Sequence, residues 1–284
     1  MPVPGPVFIR LLARLTDLDV PQSSHGLADR LSHWIDWTRA VEVEVRGGSA
    51  RSAEDVLAGS VLTMDQAVRN SIADGVAYIS FTGFPGNEPT LARLKAFLDE
   101  YKGAKALIID ARGHRGGGLA EMDVMFPYLF ARPTTLVTMD TRASVDRAEG
   151  NPLGDSRLRL VPAGDDVVRR EHYVEPHASE TRLHDAAVFV LTSAATGSAA
   201  EHLTLALKRT GRATIVGETT AGAGHYGGMR PIGDHFAAFI PVGCTFDPDT
   251  GDDWEGDGVS PDIAVPAAAA LTEALVRAGL DRAE

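Results

Sequence analysis

A serine that opens a helix directly after an apolar strand stands where its hydroxyl can act on a carbonyl. The stretch from Val188 to Glu201, VFVLTSAATGSAAE, puts Ser198 at such a point. A helix start offers unpaired N–H groups and the positive end of the macrodipole, which stabilise an alkoxide or a developing oxyanion without a metal. The same spacing supports a second role. Ser198 followed three residues later by Glu201 is a capping box, in which the serine closes the helix start and the glutamate bonds back to it. On these residues alone both roles stand.

The elements around this point follow a repeated order. VAYISF from Val76 reads as a strand, Thr90 as the cap of a helix with Leu91, Leu94, Phe97, Leu98 and Tyr101 on one face, Gly103 as its end, and ALIID (106–110) as a continuous apolar strand. RGHRGGG (112–118) leads into a second helix carrying Leu119, Met122, Met125, Phe126 and Leu129, and TTLVTM (134–139) reads as the next strand. Residues 143–185 are rich in Asp, Arg, Glu, Gly and Pro with little periodicity, and read as an exposed excursion. The third round is AAVFVL, a helix from Ser198 to about Arg209, and ATIVG (213–217). HFAAFIP and the approach to Cys244 read as two further strands before the loop DPDTGDDWEGDGVSPDI, and an alanine-rich helix from Ala267 closes the chain. Continuous apolar strands alternating with amphipathic helices imply an α/β domain, a sheet covered by helices. Residues 1–68 differ: Leu27, Leu31, Trp34 and Ile35 recur at helical spacing and Val41, Val43 and Val45 alternate as in a strand, so a small α+β segment precedes a catalytic-sized domain over 69–284.

Composition narrows the partners. A net charge of −12 and a pI near 5.2 exclude nucleic acid and anionic membrane as main partners, because both need a basic surface; a peptide or small acyl substrate fits. A homo-oligomer is left open. One cysteine, Cys244, allows no internal disulfide and no cysteine cluster for zinc. The acidic run Asp247, Asp249, Asp252, Asp253 does not follow the spacing of a calcium loop, so no metal or other cofactor is expected. The opening MPVPGPVFIRLLARL lacks the features of a signal peptide, and no apolar stretch reaches spanning length, which reads as a cytoplasmic chain.

Four blocks carry a resemblance: VAYISFTGF (76–84), ALIIDARGHRGGG (106–118), VFVLTSAATGSAAEHLTLALKRTGRATIVGETTAGAGH (188–225) and DWEGDGVSPDI (253–263). The chain resembles the C-terminal processing, or tail-specific, serine peptidases, in the branch shared with tricorn protease and interphotoreceptor retinoid-binding protein. The resemblance implies a spiral of ββα units related to the Clp protease and crotonase architecture. It implies Ser198 as nucleophile, and the N–H of Ala199 with the glycines of DARGHRGGG, chiefly Gly116 and Gly117, as oxyanion-hole elements. Glycine there also has its own rationale, since it lets backbone approach a substrate closely.

Two departures shape the rest. The position where Ser–Lys members carry their lysine is Ala223, and the early-strand histidine of tricorn-like members is replaced by Ser80. The nearest substitute base is His225, read as part of a flexible loop TTAGAGHYGG; a neutral imidazole accepts a serine proton near neutral pH. His114 is its rival. Glu255 matches the acidic residue of tricorn-like members and would orient an imidazole, giving Ser198, His225 and Glu255 as a triad. The reading is a serine hydrolase acting through an acyl-enzyme. Alternatives are a biosynthetic acyl-transfer enzyme, a non-catalytic binder of a hydrophobic small molecule and a structural subunit. The 68 or so residues before the core are too few for a PDZ module of roughly 90 residues.

Overall fold

The computed structural model describes residues 69–279 apart from Asp74, Asp155 and 233–235. The mixed segment read over 1–68, its boundary with the core and its distinction from a PDZ module lie outside the described residues.

Two sheets organise the domain. In the first, β1 (Arg69–Ala73) pairs antiparallel with β2 (Val76–Ser80), and β2, β3 (Ala106–Asp110), β7 (Ala187–Thr192), β8 (Thr214–Gly217) and β11 (Ile263–Ala264) run parallel in that order. Both faces of its central strands are covered, which is why they are apolar at nearly every position. Ala77, Ile79, Leu107, Ile109, Val188, Val190 and Ile215 belong to a core that includes Leu94, Phe97 and Leu98 of α1 (Glu88–Tyr101), Met122, Met125 and Phe126 of α2 (Ala120–Leu129), and Leu203 and Leu207 of α4 (Ala199–Arg209). Val76, Ile108, Phe189, Leu191 and Val216 turn the other way, against Ala270 and Ala274 of α5 (Ala267–Arg277). The α/β class with a parallel sheet is as the sequence reading has it.

The second sheet is antiparallel, in the order β5 (Leu158–Val161), β6 (Val167–Val174), β4 (Thr134–Arg142), β10 (Phe236–Phe246), β9 (His225–Ile232). It overturns three expectations. Residues 143–185 are no excursion: α3 (Ala143–Glu149), β5 and β6 occupy much of them, Val174 and Leu183 join the core, and His172 is fully buried. Their charges misled because they pair inside the domain, Arg169 with Asp140 at 2.7 Å and Arg170 with Asp146 at 2.5 Å. The described part of HFAAFIP, from Phe236, and the approach to Cys244 form one strand, β10. His225 opens β9, where it pairs in register with Cys244, so it is held by a strand rather than carried on a flexible loop. A smaller correction concerns α1, whose cap is Asn87; its Oδ1 accepts the Thr90 N–H at 3.0 Å.

Just beyond α4, Arg212 donates to the carbonyls of Leu129 at 2.5 Å, Leu183 at 2.6 Å and Ala186 at 3.0 Å. It ties together the end of α2 and the turn that leads into β7. Arg212→Met removes the side-chain donor from all three carbonyls and leaves those of Leu129 and Ala186 without it, Leu183 keeping a backbone N–H; the expected result is a loss of about 2–4 kcal/mol, read as a lower urea midpoint with an unchanged slope.

Candidate active site

Ser198 sits at the N-cap of α4 with φ 56° and ψ −119°, the one non-glycine at positive φ among the described residues. Such a conformation costs of order 1–3 kcal/mol and persists only where the surroundings enforce it. They do so through the small polar residues of the preceding loop. Thr196 Oγ1 donates to the Ala111 carbonyl at 2.8 Å, Ser193 Oγ to the Arg112 carbonyl at 2.7 Å, and the Gly197 N–H to the His114 carbonyl at 3.0 Å. The turn is thereby stitched to the segment that follows β3. The capping box is present, and its firm arm is the glutamate one: Glu201 Oε2 accepts the Ser198 N–H at 2.7 Å. The Glu201 N–H also lies 2.8 Å from the Ser198 carbonyl, and Ser198 lines the cleft.

Gly116 and Gly117, both expected at the oxyanion hole, are placed differently from each other. A Cβ on Gly116 would lie 2.7 Å from Ser198 Cβ and 3.1 Å from its Oγ, so glycine is required for the two segments to meet. The Gly116 N–H, however, donates to His114 Nδ1 at 3.0 Å and is not available to an oxyanion. Gly117 is bracketed by the Phe84 N–H on the Gly116 carbonyl and the Gly118 N–H on the Phe84 carbonyl, so its own N–H points away from Phe84. Ala199 opens the helix and has no carbonyl one turn back for its N–H. The N–H groups of Gly117 and Ala199 thus have no acceptor among the described residues, and both residues line the cleft beside Ser198.

Glu201 does more than cap. It is fully buried and accepts four hydrogen bonds: from Ser198 N–H, from Ala223 N–H at 2.8 Å, from Gly222 N–H at 2.6 Å and from Thr220 Oγ1 at 2.6 Å. Burial pushes its carboxyl above the usual range, against four donors that favour the ionised form. The loop 218–224 is in this way tied to the serine turn. Only the capping spacing signalled Glu201 in the sequence; its partners at 220–223 are long-range.

Beyond that loop, Glu255 Oε2 accepts the N–H of Gly224 at 2.7 Å and of His225 at 2.9 Å, while its Oε1 lies 3.8 Å from His225 Nδ1. His225 Nε2 lies 3.7 Å from Asp253. The ring stands between two carboxylates, beyond hydrogen-bond distance of either, with its side chain 40% exposed. Ser198 and His225 line one cleft of about 160 Å³, together with Ala223, Leu119, Met139, Leu153, His202 and Trp254. No imidazole is hydrogen-bonded to the Ser198 hydroxyl among the described residues. His114 is a different kind of group: fully buried, edge-on to Phe84 at 4.2 Å, its Nδ1 taken by Gly116 and its pKa driven by burial down to about 3. It holds backbone and has no lone pair free for the cleft.

A serine on a constrained helix start thus opens on a cleft whose wall includes the backbone of Gly117 and Ala199 and the ionisable side chains of His202 and His225. The chain belongs to peptidase family S41, whose sequence model matches residues 75–265. A second model, described only as a protein of unknown function (DUF3348), matches residues 1–82. Among solved structures the fold is similar to a chain from Parabacteroides merdae described as a peptidase, at 18% identity and a TM-score of 0.56 over 81% of this chain and 70% of that one. It is similar to a lipoprotein from Streptococcus agalactiae, at 13% identity and TM-score 0.54 over 98% and 97%. It is also similar to mature CPAF complexed with lactacystin, at 18% identity and TM-score 0.54 over 74% and 52%. The chain spans about half the length of the longer proteases it matches, 52% of CPAF and 46% of a photosystem II D1 C-terminal processing protease. Among the described residues no helix is long and apolar enough to cross a membrane.

The state of His114 has a measurable consequence. An imidazole whose pKa is about 3 when folded, against 6.5 ordinarily, stays unprotonated between those values while the unfolded chain takes up a proton. Its contribution to stability is complete above about pH 6.5 and is lost as the pH falls toward about 3. His114→Asn keeps an acceptor for the Gly116 N–H and removes the titration. Its urea midpoint is expected to fall less steeply than that of the unchanged chain between about pH 6.5 and about pH 4.

Proposed function

We propose that the chain is a serine peptidase or closely related hydrolase that cleaves a peptide or similar acyl bond through an acyl-enzyme on Ser198. The observation that carries this reading is the positive-φ backbone of Ser198, pressed against Gly116 beside the two unengaged amides. Strain of that kind has no structural use here, since an ordinary cap would close α4 equally well. A non-catalytic binder would have no need to keep it.

In this reading the Ser198 hydroxyl attacks the substrate carbonyl, and the oxygen that gains charge is received by the N–H groups of Gly117 and Ala199. His225 takes the serine proton and returns it to the leaving group. Its ring swings from its place between Asp253 and Glu255 to reach the hydroxyl, and Glu255, already held by two backbone N–H groups, stabilises the imidazolium through Nδ1. Water then releases the acyl group. The acidic surface suits a substrate peptide without strong negative charge.

A fluorophosphonate probe tests this directly. A covalent adduct is expected on the unchanged chain and not on Ser198→Ala, and His225→Ala is expected to slow labelling by about 10²–10⁴-fold. Absence of any adduct, or an adduct that survives Ser198→Ala, would remove the proposal, whereas normal labelling of His225→Ala would remove only the assignment of the base.

A further inference from the structure

A second ionisable system reaches the cleft that His225 lines. Asp123 on α2, His172 on β6 and His202 on α4 form a chain: His172 Nε2 lies 3.0 Å from Asp123 Oδ1, and His172 Nδ1 lies 2.8 Å from His202 Nε2. His172 is fully buried and His202 is 2% exposed. The other oxygen of Asp123 accepts the Arg157 N–H at 3.1 Å, so the carboxylate is held on both sides. A carboxylate only accepts, so His172 Nε2 carries a proton, and the remaining hydrogen bond fixes how His202 is turned.

That arrangement leaves one valence over. His202 Nε2 is used, and Nδ1 has no hydrogen-bond partner among the described residues, nor is it among their sealed, unpartnered polar atoms. His202 lies one helical turn after Ser198, and both line the cleft. Leu119, Met139 and Leu153 supply apolar wall there. A pocket with apolar sides and a ring-held imidazole in its wall fits a side chain with an apolar stem and a hydrogen-bonding tip.

We propose that His202 is a specificity-determining residue: its Nδ1 reads the tip of the substrate side chain next to the attacked carbonyl, a phenolic hydroxyl or a carboxamide, as in tyrosine or glutamine. His172 and Asp123 are positioning residues that hold the ring. With a neutral His172, Nδ1 accepts; with a protonated one, Nδ1 carries hydrogen and donates. A hydroxyl or a carboxamide meets either state. A phenyl or aliphatic side chain of the same size would bury Nδ1 unpaired, and sites of this kind reject such analogues far more strongly than apolar pockets discriminate by a methylene.

This inference rests on the reading of Ser198 as the attacking group, and its test separates the two. Fluorogenic peptides differing only in the residue that supplies the scissile carbonyl, tyrosine, glutamine, phenylalanine or leucine, are compared by kcat/KM on the full chain. Tyrosine or glutamine is expected to exceed phenylalanine and leucine by at least ~10²-fold. His202→Leu should bring the ratio near one while fluorophosphonate labelling of Ser198 persists; His202→Gln, which keeps a partner for His172, serves if the leucine variant does not fold. Asp123→Asn should narrow the ratio without abolishing turnover, an effect that a purely structural role would not have. Equal turnover of the four substrates, or loss of labelling in a folded His202 variant, overturns the proposal; the second result would make His202 the base. Calorimetry on Ser198→Ala with N-acetyl-tyrosinamide and N-acetyl-phenylalaninamide reads the same preference without catalysis. Selectivity there supports the inference even if no adduct ever forms on Ser198, and its absence counts against it.

Discussion

The carboxylate of Glu201 is the interaction on which the site depends. It is buried at the first turn of α4, and its four donors come from the serine it follows and from three residues of a loop about twenty positions away. A buried charge of this kind is tolerated only when its lone pairs are met, and once they are met the donors cannot move independently. Ser198 and the segment leading to His225 are consequently one rigid piece. The absence of a lysine at Ala223 is accommodated within the same network, because it is the backbone N–H of Ala223 that Glu201 binds, whatever the side chain.

The two sheets divide the remaining work. The parallel sheet delivers the ends of β3 and β7 side by side, so that the glycine run and the serine turn meet with no room for a Cβ between them. The antiparallel sheet supplies other parts of the cleft: Met139 from β4, His225, Tyr226 and Gly227 from β9, and Thr245 from β10. Its strand β6 also brings His172 to α4, where it fixes His202. Helix α4 is shared by both: it packs in the core with the parallel sheet, and at its far end Arg209 donates to the Thr135 and Leu136 carbonyls of β4.

Much of the first sheet was legible because its strands are buried on both faces, and an uninterrupted run such as ALIID has few other uses. The second sheet was poorly legible for the converse reason. β6 reads VVRREHYV, and Arg169, Arg170, Glu171 and His172 look like a solvated stretch until Asp140, Asp146 and Asp123 are brought opposite them. Among the candidate site residues, Ser198 was suggested by its local strand–turn–helix pattern, and Gly116, Gly117, Ala199 and Glu255 only through the resemblance. His114 could not be separated from His225 by sequence, since both are histidines near glycines; burial separates them, leaving one as a backbone acceptor and the other half-exposed between carboxylates.

The sequence by itself determined the family, the α/β alternation and the serine at a helix start, because these are written in contiguous residues: apolar runs, caps and a loop of small side chains. Tertiary structure decided which glycine amide is engaged, which histidines line the cleft and what the Ser198–Glu201 spacing is for. Those answers are matters of hydrogen bonds between residues far apart in the chain. The valence of a buried N–H or imidazole is allotted only when its partner arrives, and no local pattern records which partner that will be.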